Sequence, residues 1–181
     1  MHSPLNKRFL HIRLFLFWDC IFSRFMIYYN QSIIQKEDSM IYTPLTKKAL
    51  KLCFESHKEQ VDKTDMPYVF HPFHLAEQMD DEISTVCALL HDVVEDTDIT
   101  FENLEQMGFP KEVLDVLLLL THDEAVPYME YVKNISKNPI AKKVKIADLL
   151  HNSDVTRLDC IDEKAKIRNQ KYKEALYILG Y

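Results

Sequence analysis

In the segment Ala88-Leu-Leu-His-Asp-Val-Val-Glu-Asp-Thr97, four ionisable side chains interrupt a run that is otherwise apolar enough for a buried helix. Carboxylates among Leu89, Leu90, Val93 and Val94 are costly to bury unless paired, hydrogen-bonded or bound to a metal. The chain must therefore fold around something that satisfies them. Helical spacing puts His91 and Glu95 four apart, and Asp92 and Asp96 four apart, as two adjacent stripes facing one region. One stripe suits a cation and the other a proton.

A His-Asp pair alone is better explained by a helix-end histidine beside a capping or solvated aspartate. Two further segments change that balance. Upstream, Met66-Pro-Tyr-Val-Phe-His71-Pro-Phe-His74-Leu-Ala76 places His71 at a helix entry, with Pro72 suited to the first turn. Downstream, Val144-Lys-Ile-Ala-Asp148-Leu-Leu-His151-Asn152-Ser-Asp154 reads as an apolar-periodic helix on which Asp148 and Asn152 share a face. His71, His91, Asp92 and Asp148 thus supply two imidazoles and two carboxylates from three helices. A nitrogen-and-oxygen set without thiolates favours Mn²⁺ or Fe²⁺ over a structural zinc and leaves positions open for water and substrate. A cation there would lower the pKa of a bound water and polarise a phosphoryl oxygen, with Glu95 and Asp96 positioning the water and moving its proton.

Three segments, Lys63-Thr-Asp-Met-Pro-Tyr-Val-Phe-His71-Pro72, Ala88-Leu-Leu-His-Asp-Val-Val-Glu-Asp-Thr97 and Lys145-Ile-Ala-Asp-Leu-Leu-His-Asn152, resemble HD-domain phosphohydrolases in order and separation. Specifically, they resemble the hydrolase domain of the RelA/SpoT family, over about residues 43–173. The resemblance implies one Mn²⁺ on His71, His91, Asp92 and Asp148, a hydrolytic step carried by Glu95 and Asp96, and substrate contacts from Lys63 and Asn152. It also implies a substrate, guanosine tetra- or pentaphosphate (ppGpp), from which the 3′-pyrophosphate is removed. Only the hydrolytic half is matched, and no synthetase domain is expected in 181 residues. Two positions depart from the pattern. Asp62 stands where hydrolase relatives often carry an Arg that packs on guanine, and an acidic residue cannot stack as a guanidinium does; Asp65 stands where they carry a Gly.

The expected fold is all-α, a helical bundle of about eight helices near 44–60, 72–79, 82–96, 101–107, 110–121, 127–137, 140–154 and 163–179. Pro44, Pro72, Pro110, Pro127 and Pro139 fall at or near helix starts, and the two glycines, Gly108 and Gly180, at helix ends. A hydrophobic content of 47% fills one core, and no Walker loop or dinucleotide fingerprint is present. The apolar run 113–120 reads as a central buried helix. The stretch from Asp162, with Ala165, Ile167, Tyr172, Leu176 and Leu179, reads as an amphipathic cover.

The first 39 residues differ in character, with 5 Lys+Arg against 3 Asp+Glu, leaving 17 against 25 thereafter. Arg13, Asp19 and Arg24 interrupt the apolar stretch 9–29, and each costs roughly 2.5–3.5 kcal/mol at a bilayer centre, so no membrane span is expected. Residues 1–39 are read as an extension outside the functional domain, which is assigned to 40–181, because Thr43 and Pro44 make a natural helix start. The acidic balance of 40–181 argues against a nucleic-acid partner. Cys20, Cys53, Cys87 and Cys160 fit free thiols in a reducing cytoplasm.

Lys63 and Lys145 stand out among the lysines as substrate-binding, because they flank motif residues. His151, three after Asp148, is expected to orient a ligand rather than bind the ion; His57, His74 and His122 read as structural or exposed. The nucleotide partner and the oligomeric state stay open, as do two alternatives: an HD-type nucleotidase acting on another nucleotide, and a noncatalytic nucleotide-binding module.

Overall fold

The computed structural model describes residues 42–181, so the expectations for residues 1–39 lie outside it. The described residues form nine α-helices: α1 (Pro44–His57), α2 (Phe70–Glu77), α3 (Glu82–Leu90), α4 (Val93–Asp96), α5 (Phe101–Gln106), α6 (Lys111–Leu120), α7 (Tyr128–Ile135), α8 (Pro139–Ser153) and α9 (Glu163–Ile178). A 3₁₀ turn, Val155–Arg157, follows α8, and the only β pairing among the described residues is an isolated bridge between Val61 and Pro67. None of these helices is long and apolar enough to cross a membrane.

The helix starts follow from local chemistry. Thr43 and Thr46 form a reciprocal capping box ahead of Pro44, Asn138 caps α8 with Pro139 in its first turn, and Asp81 and Asp162 cap α3 and α9. Each such cap is worth about 1 kcal/mol against alanine. Gly108 and Gly180 adopt φ values of +76° and +74° just past α5 and α9, where a Cβ would be strained.

The central element is α3, which packs on α1, α2, α6 and α8 and is buried from Ser84 to Leu90. The run 113–120, expected to occupy that place, instead lies to one side. Val113, Val116, Leu117 and Leu120 of α6 are buried, but Leu118 is 62% exposed. Similarly, α9 buries Ala165, Ala175, Leu176 and Leu179 against α8 and α7 while Ile167 stays exposed. Burying each large aliphatic side chain of α3 contributes about 1.5–3 kcal/mol, so a helix apolar on all faces wins the middle of the bundle.

Candidate metal centre and adjoining cleft

The helix expected over 82–96 breaks at His91 and Asp92. Asp92 takes φ −99° and ψ −4°, near the sparsely populated bridge region, and α4 restarts at Val93. Adjacent residues on a straight helix do not face one another. The break lets them converge, with His91 Nε2 only 2.9 Å from Asp92 Oδ2.

α2 delivers His71 and α8 delivers Asp148 to the same point. His71 Nε2 lies 3.3 Å from His91 Nε2, 3.4 Å from Asp148 Oδ1 and 3.7 Å from Asp92 Oδ2. The donor atoms of His71, His91 and Asp92 all fall within 4.8 Å of one another. α2 begins at Phe70, two residues earlier than expected, and Pro72 still falls in the first turn, where no intrahelical N–H is needed.

This set fits a divalent cation. His91 Nδ1 is 2.9 Å from the Ala88 carbonyl, which can only accept, so Nδ1 carries a hydrogen and Nε2 is the nitrogen left facing the carboxylates. Two imidazole nitrogens and two carboxylates converging in a buried space need positive charge among them. Burial pushes the His91 imidazole down, but the adjacent Asp92 carboxylate, with Asp148, outweighs burial and holds it up at about 9.

Asp148 is held by its own helix. Lys145 Nζ donates to Oδ2 at 2.7 Å and Asn152 Nδ2 donates to Oδ1 at 2.5 Å. Burial works against the Lys145 charge, but Asp148, then Tyr131 and Tyr128, raise it well above the ordinary lysine range. Lys145 therefore faces Asp148, with its ammonium 5.5 Å from the Tyr131 ring centroid, and does not line the cleft described below. His151 Nδ1 lies 2.7 Å from His71 Nδ1. Burial, then His71, Arg157 and His74, hold the His151 imidazole down at about 3.

Glu95 and Asp96 follow on α4. Both reach solvent, yet both carboxyls are raised, first by partial burial and then by the Asp92 charge, against a hydrogen bond of 2.6 Å that Glu95 Oε1 accepts from the His122 amide. Their acidity is thus shifted toward neutral, as a proton-handling pair requires. Gln60 ties α1 to this turn: its Nε2 donates to the Asp96 carbonyl at 2.8 Å while its Oε1 lies 2.8 Å from Nδ1 of the buried His57.

Beside the centre opens a cleft of about 420 Å³ lined by, among others, Lys63, Tyr68, His71, Asn152, Arg168 and Tyr172. Partial burial and then Arg168 push the Lys63 ammonium down, an environment that an anionic ligand would relieve. Arg168 and Tyr172, four apart on α9, escape sequence reasoning because that stretch reads as an amphipathic cover; their one signal is a shared helix face. Tyr68 is also missed. Its hydroxyl donates to Asp92 Oδ2, and its ring lies 5.6 Å from that of His71.

Both departures at 62 and 65 have structural accounts. Asp65 adopts φ +58°, a conformation in which Gly is easiest and Asp is tolerated. Asp62 closes the turn: its Oδ1 accepts from Thr64 N (2.8 Å), Thr64 Oγ1 (2.7 Å) and Met66 N (3.2 Å), and its Oδ2 pairs with Arg157 Nη2 at 3.0 Å. Cys53 and Cys87 are free and buried, and Cys160 is free and exposed.

No family model matches the chain. It is 34% identical over 123 residues to the Xenopus tropicalis guanosine-3′,5′-bis(diphosphate) 3′-pyrophosphohydrolase MESH1, covering 60% of this chain and 67% of that protein. The Danio rerio MESH1 is likewise 34% identical over 125 residues, covering 61% and 68%. The Aquifex aeolicus guanosine-3′,5′-bis(diphosphate) 3′-pyrophosphohydrolase is 30% identical over 118 residues, and the chain spans only 17% of it. Among solved structures, a metazoan ortholog of SpoT described as hydrolysing ppGpp superposes with a TM-score of 0.64 at 27% identity, covering 78% of this chain and 88% of that one.

Proposed function

The chain belongs to the family of guanosine-3′,5′-bis(diphosphate) 3′-pyrophosphohydrolases that includes the MESH1 proteins, and from that premise we propose that it removes the 3′-pyrophosphate of guanosine tetra- or pentaphosphate in an Mn²⁺-dependent hydrolysis. The observation that carries this reading is the convergence of His71, His91, Asp92 and Asp148 beside a cleft to which Lys63 and Arg168 contribute. Residues 40–181 constitute the functional domain, and the free thiols of Cys53 and Cys87 support a reducing cytoplasm as its location.

A divalent ion held by those four side chains would supply Lewis-acid activation of water and neutralise phosphate charge. Lys63 and Arg168 bind the anionic substrate, and Asn152 links the cleft to Asp148. Tyr68 keeps Asp92 turned toward the histidines. Water attacks the phosphorus bonded to the 3′-oxygen; the P–O3′ bond breaks, and its electron pair leaves with the 3′-oxygen. Glu95 and Asp96 take the proton from the water and return one to the 3′-oxygen, giving pyrophosphate with the 5′-diphosphate from the tetraphosphate or the 5′-triphosphate from the pentaphosphate. Lys145 serves this scheme as the ion-pair partner that fixes Asp148.

The test is a product assay of the Mn²⁺-loaded protein against guanosine tetraphosphate and a panel of nucleoside monophosphates. Pyrophosphate from the tetraphosphate is expected. Single phosphates from monophosphates, with no pyrophosphate, would move the chain to the nucleotidase reading, and binding without any turnover to the noncatalytic one.

A further inference from the structure

His71 has two hydrogen-bonding edges and, when neutral, one ring hydrogen to place. Its Nδ1 faces His151 Nδ1 at 2.7 Å, a gap that holds one hydrogen. Its Nε2 faces His91 Nε2, Asp92 and Asp148. The Nδ1 contact admits two arrangements. In the first, His71 Nδ1–H donates to His151 Nδ1 and Nε2 presents a bare lone pair to the centre. In the second, His151 Nδ1–H donates to His71 Nδ1, and the His71 hydrogen sits on Nε2, pointing at Asp148 Oδ1 3.4 Å away. Only the first can bind a cation through Nε2.

Arg157 distinguishes them. Its Nη1 lies 3.1 Å from His151 Nδ1 and 3.0 Å from the His151 carbonyl oxygen. A guanidinium has donors only and does not deprotonate, so a hydrogen on His151 Nδ1 would confront another donor. The guanidinium is itself fixed. It sits at the end of the turn Val155–Arg157, which the Asp154 side chain caps, and its Nη2 is held at 3.0 Å by Asp62, whose other oxygen is committed to Thr64 and Met66. A continuous polar chain therefore runs from the turn at Asp62 through Arg157 and His151 to His71.

We infer that Arg157, anchored by Asp62, is a positioning residue that sets the tautomer of His71 so that Nε2 faces the metal as a lone pair. The inference rests on the metal reading above and assigns to Asp62 the support of this relay. An ion that binds only one tautomer sees an affinity reduced by the fraction of chains in that tautomer, so tautomer control appears directly in the dissociation constant.

Two measurements on the full chain test it. The first is the long-range ¹H–¹⁵N spectrum of the histidines in chelator-stripped protein, which reports the ring hydrogen without any ion. Wild type is expected to carry it on His71 Nδ1, and Arg157→Met to move it to Nε2 in about nine-tenths of the chains or more, the share that a tenfold loss of affinity implies. The second is Mn²⁺ titration by calorimetry. Arg157→Met should weaken binding by roughly 10- to 100-fold, as loss of a ligand-orienting partner does, and Arg157→Lys, which restores one donor, should recover most of it. Unchanged His71 tautomer or Mn²⁺ affinity within about twofold of wild type in Arg157→Met would overturn the inference, since a tenfold weakening requires the binding tautomer to fall to about a tenth of its population, whereas a twofold one still leaves about half. Should that variant fail to fold, Asp62→Asn decides. It keeps the acceptor for the 62–66 turn but loses the charge on Arg157, and a weakening of about tenfold is expected; no weakening overturns the relay. Wild type that binds no Mn²⁺ would refute the metal reading, while the tautomer spectrum would still decide the relay.

Discussion

Replacing Lys145 with methionine removes the cation from a buried ion pair while keeping most of the side-chain volume. The Lys145 and Asp148 side chains are only 15% and 8% exposed, with Nζ 2.7 Å from Oδ2. Without Lys145, Asp148 keeps the hydrogen bond from Asn152 and the nearby histidines but loses its ammonium partner. Removing one partner of a buried pair costs about 3–5 kcal/mol. At about 2–4 °C per kcal/mol for a chain of this size, the chelator-stripped variant should melt roughly 6–20 °C below wild type. The Asp148 carboxyl is held below the usual carboxylate range: burial opposes its charge, but Lys145 and then His71 and His91 prevail. Its contribution is therefore in place above that range and lost as pH falls through the lowered value. The raised lysine contributes below the usual lysine range and is lost only as pH rises through its own raised value. The melting gap should thus be flat over about pH 5–9 and narrow in acid. Thermal melts followed by circular dichroism measure it. The double variant Lys145→Met/Asp148→Leu, which removes both charges, should recover much of the loss. A single variant that melts within about 2 °C of wild type, less than 1 kcal/mol on that scale, would refute the buried-pair argument.

Glu95→Gln and Asp96→Asn should keep Mn²⁺ affinity and lower kcat by about 10²-fold or more in steady-state assays, because each neutralises a raised carboxyl to which the proposed mechanism gives the proton. Tyr68→Phe, which frees Asp92 Oδ2 from its phenol partner, should weaken Mn²⁺ binding by roughly tenfold in calorimetry without unfolding the bundle. A chain beginning at Met40 should retain helical circular dichroism and turnover, since the capping box at Thr43 opens α1 and every residue of the centre follows it.

Much of the fold was legible because its helices announce their ends. Thr43-Pro44, Asn138-Pro139, Gly108 and Gly180 bound their elements as expected. Which helix would be central was harder to read. Leu118 makes α6 look apolar all round, and a sequence does not reveal that α1, α2, α6 and α8 all pack on α3. The candidate centre was legible as a set of residue types, and α2, the break between α3 and α4, and α8 bring His71, His91, Asp92 and Asp148 together. The break at His91 and Asp92 was not, because Val93 and Val94 continue the apolar period. Nor was the pairing of Asp62 with Arg157, 95 residues apart. At Asp62 the sequence shows an acid where relatives often have an Arg, and the structure shows that acid holding a guanidinium supplied from another turn. Lys145 reads as a cation near a phosphate site, whereas its burial commits it to Asp148.

Metal-dependent pyrophosphate release is tested most directly by titrating chelator-stripped protein with Mn²⁺ while following the products from guanosine tetraphosphate. Pyrophosphate and GDP should appear in equal amounts, rise to a plateau at one ion per chain, and be absent at every Mn²⁺ concentration in a folded His91→Ala variant. Turnover that survives stripping, or a His91→Ala variant that works as well as wild type, would contradict a centre built on His71, His91, Asp92 and Asp148.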